Sequence, residues 1–170
     1  MTPPKSLTPD EAYARLADRC STCEVCTGEA LEKLRLWSIG PTEAARIVQR
    51  LVNERFIDDE RFARAFVRDR LNNSRWGLVK IRHALSLKRI DRATIAEAIE
   101  SETDDERYFA NLADALRSKG RRMESPLSQA DRAKLMRFAV SRGYEPSLVC
   151  EMIADEEFWR NDDDQDQPPF

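Results

Sequence analysis

Apolar residues recur along this chain at the three- and four-residue spacing of amphipathic helices, and the pattern occurs three times. Matching apolar positions in the predicted second helices are Ala30, Ile81 and Leu135, followed by Leu34, Leu85 and Ala139. Those in the predicted third helices are Ala44, Ile95 and Val149, followed by Val48, Ile99 and Ile153. A repeat of about fifty residues indicates tandem helical units. We therefore predict an all-α chain of three tandem three-helix repeats.

Several predicted helices begin with side chains that can satisfy the free amides of a first turn. Thr8 with Glu11, and Thr103 with Glu106, have the spacing of capping boxes, in which two side chains and two amides pair reciprocally. The predicted caps of the second helices in the middle and last repeats are Ser74 and Ser128.

An aromatic residue stands at the same place in each predicted first helix. These residues are Tyr13, Phe62 and Tyr108. We expect each to anchor a core, because large aromatic side chains contribute much of the apolar area that a small unit can bury. In the middle repeat Phe66 follows on the same helical face, and Ile81 and Leu85 are the matching core positions of the second helix.

The repeats set the predicted organisation of the chain. The predicted segments are residues 7–57, 58–102 and 103–158, with a disordered N-terminus at 1–6 and an acidic disordered tail at 159–170. A unit of fifty residues is near the lower limit for independent stability, so neighbouring repeats are expected to support one another. We predict that they form an elongated, curved array.

The second helix of each repeat is followed by a short break before the third. The left-handed conformation that ends many helices favours glycine. Only the last break has it, at Gly143, whereas Ser38 and Arg89 occupy the other two. Because a non-glycine residue in that conformation costs about 1 kcal/mol, we expect a slightly different turn at Ser38 and Arg89.

The middle repeat is unusually rich in basic residues. The chain of 170 residues is 41% hydrophobic and 35% charged, with a formal net charge of −3. Between Arg61 and Arg92 there are 10 lysines and arginines against 2 acids, a local balance of +8 that leaves −11 for the remainder. Such a basic segment attracts an acidic protein surface or a phosphate backbone, although a solvated charged surface is the simpler interpretation.

Arg61, Arg64 and Arg68 lie on one stripe of the first middle helix. The predicted partner-binding residues are Arg64, Arg68, Arg75, Lys80, Arg82, Lys88 and Arg89. Direct DNA binding is the alternative, but a pI near 5.4 argues against it as the main activity, because the acidic repeats would repel phosphate. Weak contact with single-stranded DNA stays open.

The cysteines suggest a metal site, but we interpret them as packing residues. Cys20, Cys23 and Cys26 are three residues apart, and Cys150 could supply a fourth ligand. The chain has no second paired cluster, and reduced cysteines also pack as small hydrophobes. We predict neither a metal nor another cofactor.

Catalysis has little support in the sequence. The chain has one histidine, His83, no glycine loop that could cradle phosphate and no nucleophile elbow. The adjacent acids Asp58 and Asp59 stand at a predicted helix start, where one caps and both oppose the positive helix end. We therefore predict a protein without enzymatic activity.

The polar start and the absence of a long apolar run predict a cytoplasmic protein without a membrane segment. We expect it to be a monomer.

The middle repeat resembles the RecX family of bacterial recombination regulators. The matching residues are Phe56 to Ala63, Trp76-Gly77, Lys80-Ile81-Arg82, Ala84-Leu85 and Lys88-Arg89-Ile90. The resemblance covers roughly residues 8–155 and is looser in the outer repeats.

This resemblance implies a regulator that binds the RecA recombinase in the groove of its filament on single-stranded DNA. It also implies damped strand exchange, ATP turnover and co-protease activity in the DNA-damage (SOS) response and DNA repair. The alternative is a helical scaffold or nucleic-acid-binding module unrelated to RecA. The acidic tail and the cysteines lie outside the family pattern.

Overall fold

The computed structural model describes residues 7–123 and 126–160, and within these ranges it contains ten helices and no strand. The helices are α1 (Pro9–Thr22), α2 (Thr27–Leu36), α3 (Pro41–Asn53), α4 (Asp59–Asn72), α5 (Leu78–Leu87), α6 (Arg92–Glu102), α7 (Asp105–Gly120), α8 (Gln129–Ser141), α9 (Pro146–Ala154) and α10 (Glu156–Arg160). The predicted all-α class is confirmed. Helices α1 to α9 correspond in order to the nine helices of the sequence repeats.

Of the four caps predicted at Thr8, Ser74, Thr103 and Ser128, two are confirmed and two are wrong. Thr8 and Glu11 form the capping box of α1, and Ser128 accepts a hydrogen bond from the Asp131 amide at the start of α8. At α7 the cap is Asp104, which accepts from the Arg107 amide, so the predicted capping box that begins one residue earlier does not form. Helix α5 begins at Leu78, too far along for Ser74 to cap it.

The apolar positions that define the repeats are buried. All twelve second-helix and third-helix positions superposed from the sequence are at most 6% exposed. Phe62 and Tyr108 are also buried. Tyr13 is different: it packs at the edge of the first core, where Ala12 and Leu16 are fully buried, and its hydroxyl donates a hydrogen bond to Glu54.

By internal contacts the chain divides into two compact units. The first takes the described residues up to Arg68 together with His83–Glu102. The second takes Asp69–Arg82 and the described residues from Thr103 onward. The middle repeat is therefore shared between the two units: most of α4, the end of α5 and all of α6 belong to the first, and the α4–α5 connection belongs to the second.

Four helix ends share the same left-handed turn. The turn residues are Ser38, Arg55, Arg89 and Gly143, with φ of 61°, 60°, 64° and 92°. At each end two backbone hydrogen bonds close a Schellman motif; after α5 they run from the Arg89 amide to the Ser86 carbonyl and from the Ile90 amide to the Leu85 carbonyl. The expectation of a different turn at Ser38 and Arg89 was therefore wrong, because paired carbonyls and a packed apolar residue after the turn hold the conformation without glycine.

In the first unit, the start of α2 packs directly on the turn after α5. A β-carbon on Gly28 would lie 2.0 Å from the Lys88 carbonyl oxygen, so the two backbones touch. The Thr27 amide, in the first turn of α2, donates a 2.8 Å hydrogen bond to the Asp59 carboxylate of α4. The second helix of the first repeat is thus fixed by the first and second helices of the next.

In the second unit the same contact recurs one repeat later. A β-carbon on Gly77 would lie 2.1 Å from the Gly143 carbonyl, and the Gly77 amide donates to the Arg142 carbonyl. The Leu78 amide, in the first turn of α5, donates a 3.0 Å hydrogen bond to the Tyr108 hydroxyl of α7. In both units, the start of one repeat's second helix lies on the turn after the next repeat's second helix.

The short helix α10 was not predicted. Trp159, which the sequence placed at the start of the tail, lies in this helix and is half-buried, and a β-carbon on Gly120 of α7 would lie 2.8 Å from its ring. The predicted disordered N-terminus, residues 1–6, and the predicted tail beyond residue 160 lie outside the described residues. None of the described helices combines the length and the apolar character needed to cross a membrane.

Candidate functional site

The predicted partner-binding cations fall in both units. Those in the first unit are Arg64, Arg68, Lys88 and Arg89, and those in the second are Arg75, Lys80 and Arg82. Each group is described separately below, since what a cation can offer a partner depends on whether it already has one within the chain.

The arginine stripe on α4 carries its own counter-charges. Arg68 binds Glu102 through two hydrogen bonds of 2.8 and 2.9 Å, and Arg64 lies 3.4 Å from Glu97. The guanidinium of Arg68 lowers the pKa of the Glu102 carboxyl below its ordinary value.

The neighbouring stripe residue is also paired, since Arg61 donates a 2.7 Å hydrogen bond to Glu24. The carboxylates come from α6 and from the α1–α2 connection, distant in sequence from the arginines, so local sequence patterns gave no signal for these pairs. A cleft of about 350 Å³ runs beside the stripe and is lined by its arginines and by acids such as Asp58 and Glu60.

Lys88 is held inside the first unit. Its ammonium group forms an ion pair with Glu29 and lies 5.6 Å and 5.8 Å from the ring centroids of Phe62 and Phe66. The two rings stack, with centroids 6.0 Å apart. Lys88 therefore joins α5 to α2 and α4 through contacts within the chain.

Arg89 follows directly, in the left-handed turn, and its side chain is exposed. Within the described residues no carboxylate is hydrogen-bonded to it. Arg89 contributes a minor part of the lowered pKa of Glu32, whose main cause is the hydrogen bond from Arg35.

In the second unit, the Trp76 ring lies against two cations, the predicted Lys80 and also Arg70, which is not one of the seven predicted residues. The Lys80 ammonium lies 4.4 Å from the Trp76 ring centroid, and the Arg70 guanidinium lies 4.9 Å from it. Lys80 is also a packing residue, since a β-carbon on Gly143 would lie 2.2 Å from the Lys80 β-carbon. Arg75 is exposed, and its carbonyl accepts a 3.2 Å hydrogen bond from the Tyr144 hydroxyl.

Arg82 is exposed on α5, and its side chain makes no hydrogen bond, ion pair or ring contact within residues 7–123 and 126–160. Of the seven predicted cations, Arg75, Arg82 and Arg89 are thus the ones that direct a guanidinium to solvent without a bonded carboxylate.

The predicted structural residues of the middle repeat are buried or half-buried within their own units. Ile81 and Leu85 are fully buried, Phe62 is buried and Phe66 is half-buried. Tyr108 is buried as well, and its hydroxyl donates a 2.7 Å hydrogen bond to Glu145. Burial and that acceptor raise the pKa of Tyr108.

The two acids at the start of α4 have separate structural partners. Asp58 accepts a 2.9 Å hydrogen bond from the Arg61 amide, and Asp59 accepts one from the Thr27 amide of α2. The first is a local cap; the second ties two repeats together, which sequence spacing could not reveal. Both geometries leave the acids engaged with backbone amides, as helix-start acids are.

The cysteines differ in their surroundings. Cys26 is buried and its thiol points to the Lys88 carbonyl at 3.8 Å, Cys20 is half-buried, and Cys23 and Cys150 are exposed. Burial raises the pKa of the Cys20 and Cys26 thiols, which favours the protonated form over a metal-binding thiolate. Among the described residues, no group of three or more His, Cys, Asp or Glu is arranged to hold a metal ion.

A family profile described as "RecX, second three-helix domain" matches residues 58–99. Among curated proteins, "Regulatory protein RecX" from Oceanobacillus iheyensis is 27% identical over 128 residues, which cover 74% of this chain and 46% of that protein. The protein of the same name from Chromobacterium violaceum is 24% identical over 151 residues, which cover 87% of this chain and 94% of that protein. The chain thus spans about half the length of the first of these relatives and nearly all of the second.

Two crystal structures share the fold. RecX from Lactobacillus salivarius superposes with a TM-score of 0.75 at 20% identity, over 88% of this chain and 96% of that one. A second structure, of a regulatory protein RecX, gives a TM-score of 0.75 at 25% identity, over 87% of this chain and 72% of that one. The segment that the family profile matches is the same segment that holds the candidate cations.

Proposed function

We propose that this chain, which belongs to the RecX family, is a non-enzymatic regulator that binds the filament of RecA recombinase on single-stranded DNA. It lies in the filament groove and lowers strand exchange, ATP turnover and co-protease activity. The observation that carries the proposal is the coincidence of the family match at residues 58–99 with the basic segment between Arg61 and Arg92.

Within that segment the cations divide by role. Arg75, Arg82 and Arg89 make direct contacts with acidic side chains of the filament or with nearby phosphates, because arginine can bond either group through two donors. Arg64 and Arg68 contribute by exchanging their intramolecular carboxylates for those of the partner. Lys80 and Lys88 position the other cations, since their ammonium groups lie on aromatic rings.

The contact of each repeat is weak, and the repeats act together. Linked contacts reinforce one another through effective concentration, so a partner that offers the same surface on successive subunits is favoured over a single subunit. We expect a strong preference for assembled filament over free RecA, which sedimentation of the protein with each form measures directly.

A second, weaker activity is contact with single-stranded DNA. Half-buried Trp76 and exposed Arg75 lie together in the second unit, and a tryptophan beside cations is a common platform for stacked bases. The net negative charge of the chain keeps this contact secondary. If it is instead the main activity, the protein is a nucleic-acid-binding module or helical scaffold unrelated to RecA.

The proposal includes a cytoplasmic monomer acting in the SOS response and in DNA repair, where the filament forms. The decisive assay adds the protein to RecA, single-stranded DNA and ATP and follows phosphate release. Inhibition at protein concentrations well below that of RecA is expected. No inhibition, together with salt-sensitive binding to DNA, would contradict the proposal and support the nucleic-acid-binding alternative.

A further inference from the structure

A groove of about 450 Å³ lies in the first unit, on the side of α2 that faces the end of α5. It is lined by charged residues of α1 and α2, by two leucines and by the turn after α5. Neither the arginine stripe of α4 nor the second unit contributes to it.

The floor of the groove is held by backbone contact. Gly28 lies against the Lys88 carbonyl, the Cys26 thiol points to the same carbonyl, and Glu29 forms an ion pair with Lys88. Because these contacts fix α2 against the end of α5, the groove exists before any partner arrives. A preformed groove loses little conformational entropy on binding.

Two exposed leucines lie on the rim of the groove. Leu36 and Leu87 are 65% and 71% exposed, the highest values among the exposed large hydrophobic residues of the described ranges, and both line this one groove. Covering them with another apolar group is favourable, and their shared location gives such a group a defined place to bind.

The charged side chains near the two leucines that have no ion-pair partner among the described residues are positive. The acids of the groove are already engaged, Glu29 with Lys88 and Glu32 with Arg35. Arg19 and Lys33 line the groove with no ion pair in the part of the chain that the structure describes, and the exposed Arg89 adds a third cation. An incoming group therefore meets two apolar side chains bordered by unmatched positive charge.

We infer that this groove is a docking site for a protein segment in which leucine-sized side chains are flanked by carboxylates. A phosphate backbone would satisfy the cations but leave the leucines uncovered. A lipid surface would cover leucines, but a concave groove fits a projecting side chain better than it fits a flat bilayer. The inference deepens the proposed function, on which it rests for taking a protein as the partner.

A labelled helical peptide with leucines at i and i+4 and glutamates between them is the probe, and fluorescence anisotropy is the measurement. The double variant Leu36→Ser/Leu87→Ser is expected to weaken binding roughly tenfold or more, as removal of central apolar anchors does. Arg19→Glu/Lys33→Glu should weaken it similarly and reduce its dependence on salt. Val52→Ser/Val140→Ser, which replaces exposed valines outside the groove, is the matched control and should bind as the parent protein does.

The inference is overturned if the parent protein does not bind the peptide, or binds a version with lysines in place of glutamates equally well. It is also overturned if the leucine variant keeps full peptide binding, or if it loses binding to oligothymidylate or anionic vesicles instead. The melting temperature measured by circular dichroism should stay close to that of the parent protein in every variant, since each replaced side chain is exposed except Lys33, which is half-buried.

The same leucine variant separates this inference from the proposed function. If the parent protein inhibits RecA ATP turnover and the leucine variant inhibits equally, filament regulation stands and the groove is not its docking site. If the parent protein does not inhibit at all, the proposed function fails, and the peptide measurement still decides whether the groove binds acidic apolar segments.

Discussion

The carbonyl oxygen of Lys88 lies so close to Gly28 that a β-carbon at position 28 would be 2.0 Å from it. The contact joins the first repeat to the second within one compact unit, and it recurs between Gly77 and Gly143 in the other. In each case glycine allows one backbone to rest on another.

Replacing Gly28 with alanine should therefore destabilise the first unit. Forcing a methyl group into packed backbone typically costs about 1–3 kcal/mol, and urea unfolding followed by circular dichroism measures the loss. Gly40→Ala is the control and should lose less stability, because nothing outside its chain neighbours lies within 4 Å of a β-carbon there and only the N-cap of α3 is altered. Equal stability of the two variants would show that the α2–α5 contact is not close in solution.

Arg89→Gly should raise stability while removing a proposed contact. Arg89 has φ of 64°, and glycine relieves about 1 kcal/mol of steric strain in this conformation. Arg82→Gly, in the helical part of α5, should instead lower stability by about 1 kcal/mol. The melting temperatures of the two variants measure this difference. A variant at position 89 that is both more stable and a weaker inhibitor would separate the two roles of this residue.

Reversing the charge of Arg82 should weaken inhibition of RecA ATP turnover severalfold without changing the melting temperature, because Arg82 has no partner among the described side chains. Arg137→Glu, which reverses the charge of an exposed arginine on α8, is the control. Arg68 is a poorer choice for this test, because its reversal also breaks the pair with Glu102. Full inhibition by the Arg82 variant would remove this position from the proposed surface.

The Arg68–Glu102 pair predicts a pH dependence of stability. The pKa of Glu102 is lowered in the folded chain, so its contribution is complete above the ordinary value of 4.5 and is lost as pH falls through the folded-state pKa. Glu102→Gln should make the loss of stability in acid less steep. A double-mutant cycle with Arg68→Gln should show coupling at neutral pH that disappears in acid; coupling that persists there would mean that the carboxylate charge is not its source.

The cysteines should not bind a stoichiometric metal. The predicted result is that a chelator leaves the melting temperature unchanged and that elemental analysis finds no metal at molar ratio with the protein. The raised pKa of the Cys20 and Cys26 thiols supports this expectation. A bound zinc or iron whose removal melts the first repeat would contradict it.

The sequence predicted those features that depend on neighbours along the chain. Helical spacing located the nine repeat helices and their buried positions, and the Thr8–Glu11 spacing identified a capping box. The one-residue error at α7 has a physical basis: Thr103 and Asp104 are both good caps, and the aspartate is the residue that accepts from the Arg107 amide.

Features that depend on distant residues could not be predicted. The ion pairs of Arg64 and Arg68 use carboxylates on α6, and Asp59 binds an amide of α2. The left-handed turns at Ser38 and Arg89 contradicted intrinsic preference, because packing of the residue that follows outweighs a small local strain. The candidate binding surfaces divide in the same way. The basic segment could be identified from the sequence, whereas the groove beside Leu36 and Leu87 could be identified only from the folded structure.

The contact between successive repeats is directional. One partner is always the beginning of a second helix, and the other is always the bend after the corresponding helix of the following repeat. A head-to-tail rule of this kind lets a gene gain or lose an entire repeat while each remaining junction keeps its geometry.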